Sequence, residues 1–131
     1  MVINYCPQLY KDLKKIGLIS SSDVEDGDID IAVSSIPLVE SITTLLTNAL
    51  KNNLLDHHSN KYFKQPFLKE EWIIRKMRFA TDTEGKRGGL RIIFCLNSNQ
   101  ILLVLIKKKR DCLKEELLEK EIIKRIKDYI F

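Results

Sequence analysis

The side chains in this chain best suited to chemistry are guanidinium and ammonium groups, and they crowd together. The run RKMRFATDTEGKRGGLRIIF, residues 75 to 94, holds Arg75, Lys76, Arg78, Lys86, Arg87 and Arg91 against only Asp82 and Glu84. The alternating stretches WIIRKMRFA and GLRIIFCL predict two strands of a hairpin, and a period of two sends Lys76 and Arg78 out of the same face. Arg91 joins them from the second strand if the register sets it alongside. Like charges side by side repel, so a sheet face that accepts three of them is expected to meet an anion.

The wider charge distribution agrees. Residues 1 to 74 carry seven lysines and ten acidic residues, −3, whereas residues 75 to 131 carry fifteen basic and eight acidic, +7. Lys107, Lys108 and Lys109 open the run KKKR just after a third apolar stretch, and all but one of the arginines lie between 75 and 110. Planar guanidinium forks match phosphate oxygens, which points to a nucleic acid bound along its backbone. Serine-hydrolase elbows, phosphate-binding glycine loops, dinucleotide fingerprints and cysteine or histidine sets with metal spacing are all missing from the sequence. An enzyme made from these residues must work by positioning and charge. RNA cleavage suits that restriction without cofactor or metal, because the substrate's own 2′-hydroxyl is the nucleophile and arginines can stabilise the charge that grows on the phosphate.

Other reactive residues read as bystanders. His57 and His58 are adjacent and point apart, as surface residues do, and Cys6, Cys95 and Cys112 show no paired spacing and are expected to be inert thiols. The acidic stretch SSSDVEDGDIDIAVSS resembles a calcium loop only superficially, since no glutamate stands at the twelfth position. It reads as a loop whose Asp and Glu residues could screen the basic patch.

The elements that must position the cluster follow from periodicity. VINY predicts a strand, PQLYKDLKKIG a helix ending at Gly17, and PLVESITTLLTNALKNNLL a second helix. After a polar connector, DHHSNKYFKQPF, come the hairpin, a tight turn at NSN, and QILLVLI, apolar on both faces like a central strand. The stripe Leu118, Ile122, Ile126 and Ile130 predicts a closing helix. With 44% apolar and 31% charged residues, the expectation is one α+β domain over 1–131 with an acidic loop insert at about 20–35. Its twisted, mainly antiparallel sheet would have about four strands, with two N-terminal helices and a C-terminal helix on one side. No apolar run approaches the roughly 20 residues of a membrane span, so a cytoplasmic protein without membrane contact is expected.

The words RKMR at 75 to 78, GKRGGLR at 85 to 91 and IIFCL at 92 to 96 resemble the RelE/ParE superfamily of toxins from bacterial toxin and antitoxin pairs, in particular its RelE/HigB-like branch. VINYCPQLYKDLKKIG and LEKEIIKRIKDYI are similar to the family's opening strand and helix and to its closing helix; the acidic insert has no counterpart. The resemblance implies a RelE-like fold and a ribosome-dependent mRNA endonuclease that inhibits translation, with mRNA, the ribosome and a cognate antitoxin as partners. It further implies Lys76, Arg78 and Arg91 as catalytic residues, the arginines holding the scissile phosphate and its transition state and Lys76 helping to activate the 2′-hydroxyl or neutralising charge. Arg75, Lys86, Arg87, Lys107, Lys108 and Lys109 would bind RNA. Where relatives carry a tyrosine past the last strand, this chain has IKKKR, and Phe94 and Cys95 replace a usual tyrosine pair. That departure keeps open a non-nucleolytic binding protein of the same fold, gyrase-targeting or regulatory.

Overall fold

The structure, a computed structural model, describes residues 2–18, 33–62, 67, 71–81, 85–111 and 114–127, with side chains at all of these except 81 and 85–88. Most of the acidic insert, Cys112 and Ile130 lie outside the described residues. In chain order the elements are β1 (Val2–Tyr5), α1 (Leu9–Ile16), α2 (Pro37–Lys51), α3 (Leu55–His58), β2 (Ser59–Lys61), β3 (Ile73–Thr81), β4 (Gly85–Leu96), β5 (Gln100–Lys108), a 3-10 turn (Lys109–Asp111) and α4 (Glu115–Ile126).

Local chemistry sets the element ends. Gly17 closes α1 in the left-handed region at φ 91°, its N–H donating to the Lys14 carbonyl while that of Leu18 reaches back to Leu13. Asn53, at φ 57°, does the same for α2, with the Leu54 N–H donating to Ala49. In both cases a left-handed residue lets the chain turn back onto the last carbonyls. Pro37 occupies the first turn of α2, where its missing N–H has no helical partner to lose. The turn at 97–99 is held by the Asn97 side chain, which accepts from the N–H groups of Asn99 and Gln100.

The sheet is mixed, with order β1-β5-β4-β3-β2. β2 to β5 pair antiparallel in turn, and β1 lies parallel to β5 with Val2 opposite Gln100. The fold is thus α+β, but with five strands where about four were expected. The extra strand, SNK, is too short and too polar to alternate and hides in the connector. Among the described residues the helices number four rather than three, and they cover both faces instead of one. α1 and α2 cover one face, setting Leu9, Leu13, Val39, Ile42 and Leu46 against Met77, Ile92, Phe94 and Leu103. α4 covers the other, setting Leu118, Ile122 and Ile126 against Ile74, Ile93, Cys95 and Leu102. A central strand apolar on both sides needs two covers, and burying each aliphatic side chain contributes about 1.5–3 kcal/mol.

β5 contains one extra residue. Ile93 pairs with Leu105 and Phe94 with Leu103, so Val104 is a bulge, and both Val104 and Leu105 join the core under α4. β1 pairs with β5 only as far as Leu103, where the Cys6 N–H still donates to the Leu103 carbonyl. Beyond that point a side-chain clasp takes over. Asp12 of α1 accepts the Ile106 N–H at 3.1 Å and a bidentate pair of bonds from Arg125 of α4, which also donates to the Val104 carbonyl at 2.9 Å and to Glu121 at 2.9 Å. Asp12 and Arg125 are both buried, so the pair ties the two helical layers together across the sheet edge. Among the described residues no helix is long and apolar enough to cross a membrane.

Candidate functional site

The hairpin register brings the basic residues together. Arg78 of β3 stands directly opposite Arg91 of β4, Arg91 opposite Lys107 of β5, and Lys76 two positions from Arg78 on the same face. Guanidinium groups on directly paired residues are close neighbours, and the repulsion between them remains unless an anion enters. Neither Arg78 nor Arg91 makes a side-chain hydrogen bond or ion pair with another described residue, and the Arg91 Nε is buried without an acceptor.

β2 shapes the space beside them. Its pairing with β3 runs only from Lys61 opposite Arg75 to Ser59 opposite Met77, so the β3 edge at Arg78 to Ala80 has no β2 partner. The short helix α3 leads into β2 at this point. A cleft of about 560 Å³ results, lined by Asp56, His57, His58 and Ser59 on one side and by Lys76, Arg78, Ala80 and Arg91 on the other. Arg75 holds α3 in place: its Nη1 donates to Asp56 at 2.9 Å and to Ser59 Oγ at 3.2 Å, and Ser59 Oγ donates to the Leu55 carbonyl at 2.8 Å. Arg75 is therefore a buried anchor, not a surface contact.

Lys76 belongs to a second network at the start of α4. Its Nζ lies 3.6 Å from Glu115 and 5.4 Å from the centre of the Tyr62 ring, and the Tyr62 hydroxyl donates to the same Glu115 oxygen at 3.2 Å. Burial, followed by the charge of Glu115, pushes the Tyr62 hydroxyl well above its ordinary pKa, so it stays a donor. Tyr62 is an aromatic beside the basic cluster, but it is packed in the core under α4 and has no face open to a base.

Of the predicted site residues, Lys76, Arg78 and Arg91 thus share one cleft, and Lys107 lies next to Arg91 on the same face. Lys108 pairs with Leu90 and points to the opposite face, and Lys109 opens the 3-10 turn. The side chains of Lys86 and Arg87 lie outside the described residues. Counter-charge on this face comes from α4: Glu115 meets Lys76, and Lys107 is among the cations that lower the Glu121 pKa. The screening expected of residues 23 to 30 falls outside the described residues.

His57 and His58 were not expected here. They are exposed, as adjacent histidines in a polar connector suggest, but a one-turn helix sets both against the arginines. No local sequence signal shows that proximity, because it depends on where β2 stops pairing. Cys6 and Cys95 are buried free thiols whose pKa values burial raises, as inert cysteines require.

No protein-family model, curated protein or solved structure matches the chain.

Proposed function

We propose that this protein is a metal-independent endoribonuclease, the toxin of a toxin and antitoxin pair, and that it cuts mRNA on the translating ribosome. The observation that carries the proposal is the Arg78–Arg91 cross-strand pair at the cleft, two guanidinium groups that make no side-chain hydrogen bond or ion pair with another described residue. A scissile phosphate seated between them would gain charge-assisted hydrogen bonds in the ground state and stronger ones as negative charge builds in the transition state. Lys76 adds a third cation at the same wall, and Lys107 extends the basic surface along the sheet. The order of strand, helices, antiparallel meander and closing helix supports a RelE-like reading, as do GKRGGLR and the alternating strand after it. An antitoxin would neutralise the protein by presenting carboxylates to the same arginines.

The test is to induce the chain alone in a bacterial host beside an Arg78→Ala/Arg91→Ala variant and to map new mRNA 5′ ends while growth is followed. Growth arrest with codon-positioned ends, both absent from the variant, is the expected result. Arrest with intact messages would replace the nuclease with a binding toxin of the gyrase-targeting kind. Unimpaired growth would remove the toxin reading altogether.

A further inference from the structure

Arginines can hold a phosphate, but they cannot move protons at neutral pH, and cleavage by a 2′-hydroxyl needs two proton transfers. One group must take the proton of the attacking hydroxyl and another must supply one to the departing 5′-oxygen. Among side chains, imidazole is the one that most often serves as both general base and general acid. The cleft holds two imidazoles, those of His57 and His58.

We propose that His57 and His58 perform these two proton transfers, as the general base and general acid of the cleft; the inference rests on the RNA-cleaving reading above. Several features of the cleft support it. His57 and His58 are both among the residues that line the cleft with Arg78 and Arg91, where the phosphate would sit. Neither makes a side-chain hydrogen bond or ion pair with another described residue, so their ring nitrogens are not committed to the fold. Their backbone is held rather than left to a loop: Arg75 bonds Asp56 and Ser59, the residues on either side of the pair, and the His57 N–H donates to the Leu54 carbonyl. The charged groups facing them are Asp56 from α3, Lys76 and Arg78 from β3 and Arg91 from β4.

The step balances without metal or redox partner. A neutral imidazole accepts the 2′-hydroxyl proton as the 2′-oxygen bonds to phosphorus. The bond from phosphorus to the 5′-oxygen breaks, and that oxygen leaves with a proton from the second, protonated imidazole. The products are a 2′,3′-cyclic phosphate and a 5′-hydroxyl.

The experiment measures cleavage of a defined mRNA on ribosomes reconstituted from purified components, using the full chain, His57→Ala, His58→Ala and the double variant from pH 5 to 9. Each single variant is expected to lose about 10²–10⁴-fold in rate. The variant lacking the base should lose the acidic limb of the profile and the one lacking the acid its alkaline limb. A message whose scissile 5′-oxygen is replaced by sulfur, a leaving group that needs no proton, should restore cleavage by the acid-lacking variant alone. His57→Gln and His58→Asn, with melting curves for all variants, separate a lost proton carrier from a lost fold. Wild-type rate and profile in the double variant would overturn the inference and leave the arginine-based nuclease standing, and so would a slower double variant that keeps both limbs. Intact message with the wild-type chain would sink both together.

Discussion

Arg125 and Arg91 are the same side chain under opposite conditions. Arg125 lies under α4 with every guanidinium nitrogen engaged: Nη1 and Nη2 on Asp12, Nη1 also on the Val104 carbonyl and Nε on Glu121. Arg91 faces another arginine across the strand pair, with its Nε buried and unbonded. In the clasp the positive charge is consumed by the fold: without it the Asp12 carboxylate would keep the Ile106 N–H alone and the Val104 carbonyl would lose its side-chain donor. In the cleft the fold supplies no such acceptor, so the arginine stays available to a ligand. A count of basic residues cannot separate the two cases; only the acceptors around each guanidinium can.

The sharpest way to break that contrast is at the clasp. Asp12→Ala would strand a buried guanidinium and free the Ile106 N–H, and should destabilise the protein by about 3–5 kcal/mol, read as a lower midpoint in urea unfolding. Asp12→Leu with Arg125→Met removes both charges and should recover part of that loss, since the Ile106 N–H still lacks the acceptor that Asp12 supplied. If Asp12→Ala instead shifts stability by under about 1 kcal/mol, the clasp does not bind its arginine any more firmly than the cleft does.

The cleft should answer in the opposite sense. Arg78→Ala removes an exposed cation facing another and should change stability by no more than about 0.5 kcal/mol. Inorganic phosphate should raise the wild-type melting temperature, because an anion that binds only the folded state stabilises it, and this protection should shrink in Arg78→Ala and Arg91→Ala. Undiminished protection in both variants would mean that phosphate binds elsewhere.

How much of this could be read in the residues differs between the two regions. Strands and long helices were legible because their apolar residues recur at periods of two and near 3.6: Leu9 and Leu13 mark α1, Leu118, Ile122 and Ile126 mark α4, and the pairing of Lys76 with Arg78 on one face followed from alternation alone. The Arg78–Arg91 pairing needed only a register that the hairpin does adopt. The clasp was not legible, since Asp12 and Arg125 are 113 positions apart and meet only because β1 stops pairing at Leu103 and Val104 bulges. Arg75 failed for a related reason. It sits in a basic run, yet the parity of the strand turns it toward the opposite face from Lys76, where Asp56 and Ser59 take it up. The histidines were discounted because α3 is a single turn in a polar connector, too short to show a period. What sequence periodicity omits is thus long-range pairing and the places where strands end.

The smallest effect is a matter of pH and again divides the two regions. Burial by itself would raise the Glu121 pKa, but the hydrogen bond and charge of Arg125, joined by Lys107 and Lys124, hold it below its ordinary value of 4.5. A carboxyl lowered by folding contributes stability that is fully present above its unfolded pKa and is lost as pH falls through the folded one. The gap in unfolding free energy between wild type and Glu121→Gln should therefore be constant from pH 7 to about 5.5, at about 0.3–0.5 kcal/mol for a helical pair four residues apart, and should close as pH drops below 4.5. The cleft arginines do not titrate in this range, so the same comparison made with Arg78→Ala should show no such closing. A gap that persists unchanged at pH 3, or widens there, would place the acid-sensitive partner of Arg125 somewhere other than Glu121.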